Sequence, residues 1–367
     1  MKVLLINNDK WWSGGQEHLK DLARELIRLG LEVQFVVREG SLSDARFREL
    51  GTPVHPLPRH GLGDLKALRQ LVRLLRKERF DIVSVNREHD LLLTAIAWRL
   101  AFPFVRHGKL MMSYHTSTAR KQLLLGAVDG IVCISEHVRA KLLQRNPAAE
   151  SKAVILYYGI PLGAPPAAGK FDRNRPRRYF SGVGFPLIGM VGEFWKNQVE
   201  LAGMIPLLQK TFPGIKVAFV GDNTDKALIT PLLEQIHRLG VEDAVIFTGR
   251  VPRERIPDVF YDFDLSVTTH RNEGFGIVHL ESLAAGAPLV TYNEGGMVDI
   301  FRSGEVGEVV TGGPNEFAAS VTELLQDDER RFSLGERGYD LVRQKYSLQA
   351  MGSSYMEYYR LLLRVVK

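Results

Sequence analysis

Glu273-Gly-Phe-Gly-Ile-Val-His-Leu-Glu281-Ser-Leu-Ala-Ala-Gly-Ala-Pro-Leu-Val290 is the stretch whose reading decides the fold. Two carboxylates, Glu273 and Glu281, stand eight residues apart on either side of a glycine-bounded turn and the first turns of an expected helix over 276–285. Gly274 and Gly276 flank Phe275 where a strand hands over to that helix, and without a Cβ they allow a tight backbone and the close approach of a ligand. The first N–H groups of a helix are unpaired and carry partial positive charge, so this end favours a phosphate. Glu281 lies too deep in the helix to cap it, and its carboxylate can accept both hydroxyls of a ribose, as an acidic residue does in dinucleotide sites. Glu273 then falls on the sugar side of the phosphates. Gly286 and Pro288 end the helix before an apolar strand. Taken singly, either glutamate reads more readily as a solvated surface carboxylate or a local cap; the combination points to a nucleotide sugar.

The same strand–loop–helix alternation extends in both directions. In the second half, strands are expected at 187–191, 216–220, 244–247, 264–267 and 288–291. Helices are expected at 198–210, 226–239, 253–259, 276–285, 315–325, 329–343 and 348–364. In the first half, Val3–Ile6, Val33–Val37, Asp81–Val85, 110–114, 130–134 and 153–156 read as strands. Residues 16–29, 64–79, 91–101, 120–126 and 136–145 read as helices, with Leu19, Leu22, Ala23, Leu26 and Ile27 on one stripe of the first. This is the rhythm of parallel sheets covered by helices on both faces. It breaks between Gly159 and Gly184, where Pro161, Pro165, Pro166 and Pro176 accompany Arg173, Arg175, Arg177 and Arg178. The reading is an α/β chain of two Rossmann-like halves: domain 1–163, linker 164–183, domain 184–345, and a C-terminal helix within 346–367 that can return to the first domain.

A chain of 367 residues exceeds the size at which one core usually stops growing, which agrees with two domains. Neither an 18-residue apolar run nor a signal peptide is found, so the expected location is the cytoplasm, with the inner face of a membrane as the alternative. The single cysteine, Cys133, lies in an apolar run and reads as a buried thiol. Charge is uneven. Residues 1–160 hold 25 Lys and Arg against 16 Asp and Glu, and the remainder 23 against 26. A positive first half suits an anionic acceptor, membrane or nucleic acid, and charge alone does not choose among them. No aromatic-basic motif accompanies it, so no nucleic-acid partner is expected.

The motifs, in order, resemble those of retaining GT-B glycosyltransferases of the GT4 type, also called group 1. Residues 273–290 are similar to that family's paired-glutamate signature with its Ala-x-Gly-x-Pro segment. Gly14-Gly15-Gln16-Glu17 resembles its N-terminal Gly-Gly-x-Glu, and Asp129–Glu136 its Asp-x-(apolar)-Ser-Glu element. Tyr158-Gly159-Ile160 stands where Asn-Gly-Ile is common, and Gly221-Asp222, Gly249 and Gly295-Gly296 occupy its usual glycine positions. The resemblance implies a GT-B fold, two Rossmann-like parallel-sheet domains facing across a cleft, with the donor mostly on the C-terminal domain and the acceptor mainly on the N-terminal one. It implies a nucleoside diphosphate sugar as donor, UDP- or GDP-sugars foremost. Retention is implied through front-face attack, without a protein nucleophile, a cofactor or a metal. The acceptor would be the hydroxyl of a glycan, glycolipid or small molecule.

Residue by residue, Glu273, His115 and Lys196 are the candidates for catalysis. Lys196, in Gly192-Glu-Phe-Trp-Lys196-Asn197, resembles the family's cationic diphosphate contact, though the loop is shorter and Glu193 replaces the usual arginine. Donor clamping is then assigned to Lys196, the helix start and Arg250, with Gly14, Gly15, Gly274, Phe275, Gly276, Glu281, Glu294, Gly295 and Gly296 completing the donor side. Glu294 reads as a sugar-hydroxyl acceptor or an ordinary loop charge. His270 stands where the family has serine. His115 follows a strand-like run and either donates a hydrogen bond to the sugar or leaving phosphate or is a satisfied structural histidine. On the acceptor side, Trp11 and Trp12 either stack on a sugar or roof the core. Thr116, with Ser117 and Thr118, supplies hydroxyls to the acceptor or caps a helix.

Three further features complete the reading. Asp262-Phe-Asp264 has the form of a metal-binding Asp-x-Asp but immediately precedes a strand, and the histidines lack His-x-x-x-His spacing, so no metal is expected. Residues 59–79 carry seven Lys and Arg against two acids opposite a leucine-rich face. They read as a sheet-covering helix with a solvated basic face or as a patch for an anionic membrane. Two rivals share parts of the pattern: a nucleotide-sugar-binding protein without transfer activity, suggested by Glu193, and a retaining GT-B phosphorylase.

Overall fold

The computed structural model describes residues 1–58, 64–105, 107–116, 124–163, 165, 172 and 174–364. Residues 59–63 of the basic segment, Ser117, Thr118, most of the expected 120–126 helix, Pro166 and Arg173 lie outside the described residues. The chain forms two compact units, Met1–Ile160 with Ser347–Lys367, and Pro161–Tyr346.

In the first unit β1 (Lys2–Asn7), α1 (Gly14–Arg28), β2 (Glu32–Arg38), α2 (Leu42–Arg48), β3 (Val54–Leu57), α3 (Leu65–Glu78), β4 (Ile82–Val85) and α4 (Glu88–Ala101) follow one another. They lead into β5 (Lys109–Tyr114), β6 (Gly130–Cys133), α5 (Glu136–Arg145) and β7 (Ala153–Ile155). The strands form one parallel sheet in the order β3-β2-β1-β4-β5-β6-β7. The runs are apolar because both faces are covered: Val3, Leu5, Phe35, Ile82, Met111 and Val132 are all buried in one cluster.

The second unit contains β8 (Leu187–Val191), α6 (Gln198–Gln209), β9 (Lys216–Val220), α7 (Lys226–Leu239), β10 (Val245–Phe247), α8 (Ile256–Asp262), β11 (Leu265–Thr268) and α9 (Ile277–Ala284). It continues with β12 (Leu289–Tyr292), α10 (Val298–Arg302), β13 (Gly307–Val310), α11 (Pro314–Gln326) and α12 (Asp328–Lys345). Its parallel sheet runs β10-β9-β8-β11-β12-β13. Both sheets reverse their winding once, between β1 and β4 in the first and between β8 and β11 in the second. In such open sheets the crevice outside the carboxyl ends of the strands at the reversal is where ligands bind.

The final helix, α13 (Leu348–Arg364), packs with the first unit. Its Met351, Tyr355 and Tyr359 join the buried cluster around α1. Gly352 makes the approach possible, since a Cβ there would stand 2.8 Å from Cβ of Glu25. Leu348 N donates to Ile160 O at 3.1 Å, and Gly159 leaves room for the backbone of Ser347.

Four elements escaped the sequence reading: α2, β3, α10 and β13. Each has seven residues or fewer, and β3 and β13 are edge strands whose middle residues are only partly buried, so no apolar run marks them. The first helix also begins earlier than expected, with Gly14 and Gly15 inside its first turn.

Residues 174–183, within the stretch expected to be linker, are fixed to the second unit by buried charge. Asp262 accepts the backbone N–H groups of Arg178, Tyr179 and Phe180 at 2.7, 2.7 and 2.8 Å. Asp264 pairs with Arg175 at 2.9 Å and Arg177 at 2.8 Å, and accepts Leu187 N at 2.8 Å. Burial pushes the Asp264 carboxyl upward, but the two guanidiniums outweigh it and hold it below the usual range. Asp262 and Asp264 are therefore a structural clamp. A buried carboxylate surviving without a cation or several N–H donors would be costly, and here each is satisfied.

Candidate active site

At the reversal of the second sheet, β8 and β11 present their carboxyl ends side by side. The loop after β8 carries Gly192 to Asn197, and the loop after β11 carries Thr269 to Gly276. Their two signature residues meet: Lys196 Nζ lies 2.6 Å from Glu273 Oε2, with both side chains about four-fifths buried. Burial raises the Glu273 carboxyl, and the charge and hydrogen bond of Lys196 reverse this, leaving it below the ordinary value and ionised. Asn197 ties the loops together. It adopts a left-handed backbone, φ 68°, its carbonyl accepts from Thr269 Oγ1 at 2.7 Å, and its amide donates to Thr269 O at 3.4 Å.

The glycines after Glu273 are required by geometry. Gly276 caps α9 at φ 90°, and a Cβ there would stand 2.2 Å from His279 Cδ2. His279 is buried, and this desolvation drops its pKa to about 4, so it is a neutral wall of the loop. Gly274 N donates to Glu273 Oε1 at 3.2 Å. Gly295 sits at φ 82°, where a Cβ would press within 2.9 Å of Arg271 O. Gly296 N donates to Glu273 O at 2.7 Å. This N–H buttresses the backbone that carries Glu273, because the β12 loop packs directly on the β11 loop.

Other expected residues are placed differently. Phe275 is buried and packs near Tyr346, ring centroids 5.8 Å apart, so its side chain belongs to the core and only its backbone lines the loop. Glu281 pairs with Arg253 at 3.0 Å, a partner the sequence reading missed because it arrives from the segment before α8. Glu294 pairs with Arg271 at 3.2 Å. Arg271 also reaches Glu200 at 3.0 Å and lies over the Tyr292 ring at 3.6 Å, while the Tyr292 hydroxyl donates to Glu200 at 2.7 Å. Glu193, in the family's arginine position, is turned to Trp195, whose indole N–H it accepts. Trp195 in turn meets His270 edge-on at 5.1 Å. Arg250 is exposed after Gly249, and its charge helps hold the Asp222 carboxyl below its usual value, behind the hydrogen bonds from Thr224.

In the first unit the reversal lies between β1 and β4, and the loops that follow them are joined by Asp9 and Arg87 at 2.9 Å. Gln16, on the first turn of α1, donates to Asp9 at 2.5 Å and accepts from Ser13 N at 2.9 Å, which closes the glycine turn. A Cβ on Gly15 would meet nothing closer than Ser13 Oγ at 3.8 Å, so the fold itself does not require glycine there. His115 follows β5. Its Nδ1 is 2.7 Å from the Tyr158 hydroxyl and its Nε2 3.4 Å from Asn86 Oδ1. Burial, helped by the charge of Arg87, drops its pKa to about 4. His18 lies against Tyr158 at 3.9 Å between ring centroids, and neither of its ring nitrogens has a hydrogen-bond partner among the described residues. Asp9, Asn86 and Arg87 carried no spacing signal by which they could have been assigned these positions, and the motif that marks Tyr158-Gly159-Ile160 did not tie Tyr158 to His115. Trp12 packs on Phe47 and gives its N–H to Glu17 at 2.8 Å, so it roofs the core; Trp11 is 70% exposed and Thr116 is exposed. Among the described residues no cluster of His, Cys, Asp and Glu is arranged to hold a metal ion.

The profile of the family described as "Glycosyl transferases group 1" matches residues 176–341, and that of "Glycosyltransferase Family 4" matches residues 12–163. The chain belongs to the GT-B glycosyltransferases of the group 1, or GT4, type. It is 25% identical over 300 residues to spore coat protein SA of Bacillus subtilis (strain 168), covering 78% of this chain and 79% of that one. It is 26% identical over 322 residues to the capsular polysaccharide biosynthesis glycosyltransferase CapM of Staphylococcus aureus, covering 82% of each. Among solved structures, Anabaena HepE in complex with UDP superposes with a TM-score of 0.82 at 20% identity, over 98% of this chain and 100% of that one. HepE with UDP-glucose gives 0.77 at 19% identity, over the same shares. At this identity the HepE likeness speaks for the two-Rossmann GT-B fold.

Proposed function

We propose that the protein is a retaining glycosyltransferase that moves a sugar from a nucleoside diphosphate sugar, UDP- or GDP-linked, to a hydroxyl of a glycan, glycolipid or small molecule, giving an α-glycoside. The observation that carries this reading is the Lys196–Glu273 pair at the sheet reversal, seated on a glycine turn that opens α9. A diphosphate arriving there competes with Glu273 for the ammonium of Lys196 and meets the positive end of the helix. Glu273, held ionised, then faces the positive charge that develops at the anomeric carbon. The leaving phosphate oxygen takes the proton of the acceptor hydroxyl as the new glycosidic bond forms on the same face. The enzyme's share is positioning and electrostatic stabilisation, with no metal and no cofactor. Glu281 is assigned to the ribose hydroxyls, where it exchanges Arg253 for the ligand, and His115 to the sugar or leaving phosphate. Residues 184–345 form the donor side and 1–163 the acceptor side.

The complexes of HepE with UDP and UDP-glucose support the donor class, and CapM, by its name, supports a role in building polysaccharide. We place the reaction in the cytoplasm; no helix of the described residues is long and apolar enough to cross a membrane. The test is incubation of purified protein with UDP- and GDP-sugars and a panel of hydroxyl acceptors. Release of nucleoside diphosphate and an α-anomeric product by NMR are expected. A folded protein that neither binds nor turns over any donor would sink the reading, and a β-linked product would sink retention.

A further inference from the structure

The end of α4 and the loop after it expose apolar side chains in a way the fold does not use. Phe104 is 96% and Val105 80% exposed, and Ile96 and Leu100 on α4 are 43% and 48% exposed. The base of this loop is fixed. Phe102 lies between Trp98 and His107, at 5.5 and 5.6 Å between ring centroids, and Gly108 at φ 69° sits where a Cβ would strike Phe80 O. Arg76 of α3 donates to Leu100 O at 2.8 Å and Ala101 O at 3.4 Å, and His107 Nε2 is 2.9 Å from Arg79 O. A firmly held base therefore presents a bare apolar tip, which in a water-soluble fold marks an interaction surface.

The surroundings are cationic. Lys66, Arg69, Arg73, Arg76 and Lys77 of α3, Arg79 after it and Arg99 of α4 are all exposed. The acids on these helices are elsewhere or occupied: Glu78 is bound by Lys2, Asp64 caps the far end of α3, and Glu88 and Asp90 lie at the opposite end of α4. We infer that this face docks on a bilayer bearing anionic lipid headgroups, with Phe104 and Val105 entering the acyl boundary and the α3 cations resting on the phosphates. Val105, Ile96 and Leu100 are aliphatic and give bases nothing to stack on, and Phe104 is the one exposed aromatic of the patch among the described residues, so the surface fits hydrocarbon better than a series of nucleobases. The inference does not depend on the transfer reaction, since vesicle binding is read without any donor.

The full chain would be sedimented with vesicles of phosphatidylcholine alone and of phosphatidylcholine mixed with phosphatidylglycerol, at low and high salt. Binding only to the anionic vesicles, weakened by salt, is expected. F104S/V105S should lower that binding by about tenfold or more, and R69A/R73A/K77A by roughly fivefold per charge removed. Because these side chains are exposed, circular dichroism and melting should be unchanged. A Phe104→Cys protein carrying a polarity-sensitive dye should shift to the blue on anionic vesicles; the native Cys133 is buried and leaves the label to position 104. Equal binding to neutral vesicles, no binding, or an F104S/V105S protein that binds like the parent would overturn the proposal. So would a concentration-dependent dimer abolished by F104S/V105S, which would assign the patch to a second copy.

Discussion

Lys196 and Glu273 come from loops 77 residues apart, yet their charged atoms are 2.6 Å apart at the single point where the second sheet reverses its winding. Neither charge is exposed enough to be held by water alone, so each depends on the other until a ligand arrives. Glu273→Gln keeps the shape and removes the charge. The rate of nucleoside diphosphate release should fall by about a hundredfold or more, with the donor KM changed far less. A rate within a factor of a few of the parent would remove Glu273 from the reaction.

Gly15 separates packing from binding. Its Cβ position is open within the fold, so Gly15→Ala should leave stability unchanged or raise it by about 0.5 kcal/mol through the less flexible unfolded chain. If a ligand approaches this turn, the same methyl should cost transfer activity roughly tenfold. Parallel melting and kinetic measurements distinguish the two; an active, unaltered enzyme would show that the glycine turn meets no ligand.

Tyr158 is a positioning residue for His115. Tyr158→Phe removes only the hydroxyl that lies 2.7 Å from Nδ1, leaving His115 free to rotate or change tautomer. A stability loss of about 1 kcal/mol is expected for the lost hydrogen bond to a half-buried nitrogen. A role in orienting the imidazole further requires a kcat lowered about tenfold and a displaced acid limb of the pH–rate profile, whereas a packing role would leave the kcat profile where it was.

The Asp262 clamp should matter for folding and not for chemistry. Asp262→Ala strips three backbone N–H groups of their acceptor and should destabilise by about 3 kcal/mol or more. Addition of a chelator to the parent enzyme should leave its rate unchanged. Loss of activity on chelation, restored by a divalent ion, would contradict the metal-independent mechanism.

Stability should decline on mild acidification. His115, half-buried, and His279, buried, are neutral with pKa values of about 4, and buried His18 is likewise lowered, whereas in the unfolded chain each titrates near 6.5. The unfolded state therefore binds more protons as pH falls from about 6.5 to about 4. Asp90 acts in the opposite sense, because burial raises its pKa to about 6 and the folded state takes up its proton first. His55 and His270 are lowered in the same sense, so the histidines outweigh the one aspartate and stability falls as the pH drops below about 6.5, each uncompensated proton costing about 1.4 kcal/mol per pH unit. Denaturant titrations across this range should show it, and His279→Asn should make the decline shallower.

Much of the architecture was legible before any coordinates. The expected helices 136–145, 226–239 and 348–364 coincide with the observed ones, because each carries a clear apolar stripe or a strong start and stop. The helix that begins beside Glu273 was placed within a residue at either end, since Gly276 and Gly286 bound it. Short edge strands such as β3 and β13 were invisible, having too few buried residues to form a pattern. Within the site, Glu273 and the glycines stood out because they lie in one continuous segment. Arg253, Asp9, Arg87 and Tyr158 did not, because each reaches its partner from a different strand end.

By itself, then, the Glu273–Val290 segment determined that a glycine turn opens a helix between two acids, and the alternation around it determined a doubly wound α/β chain. Local spacing and hydrophobic period suffice for both, since each depends on residues a few positions apart. Only the tertiary structure decided that Lys196 is the partner of Glu273, that the Gly296 N–H supports the backbone of Glu273, and that Phe275 and Trp12 belong to cores. Those outcomes depend on which strand ends lie side by side, and strand order is fixed by the packing of whole helices on both faces of a sheet.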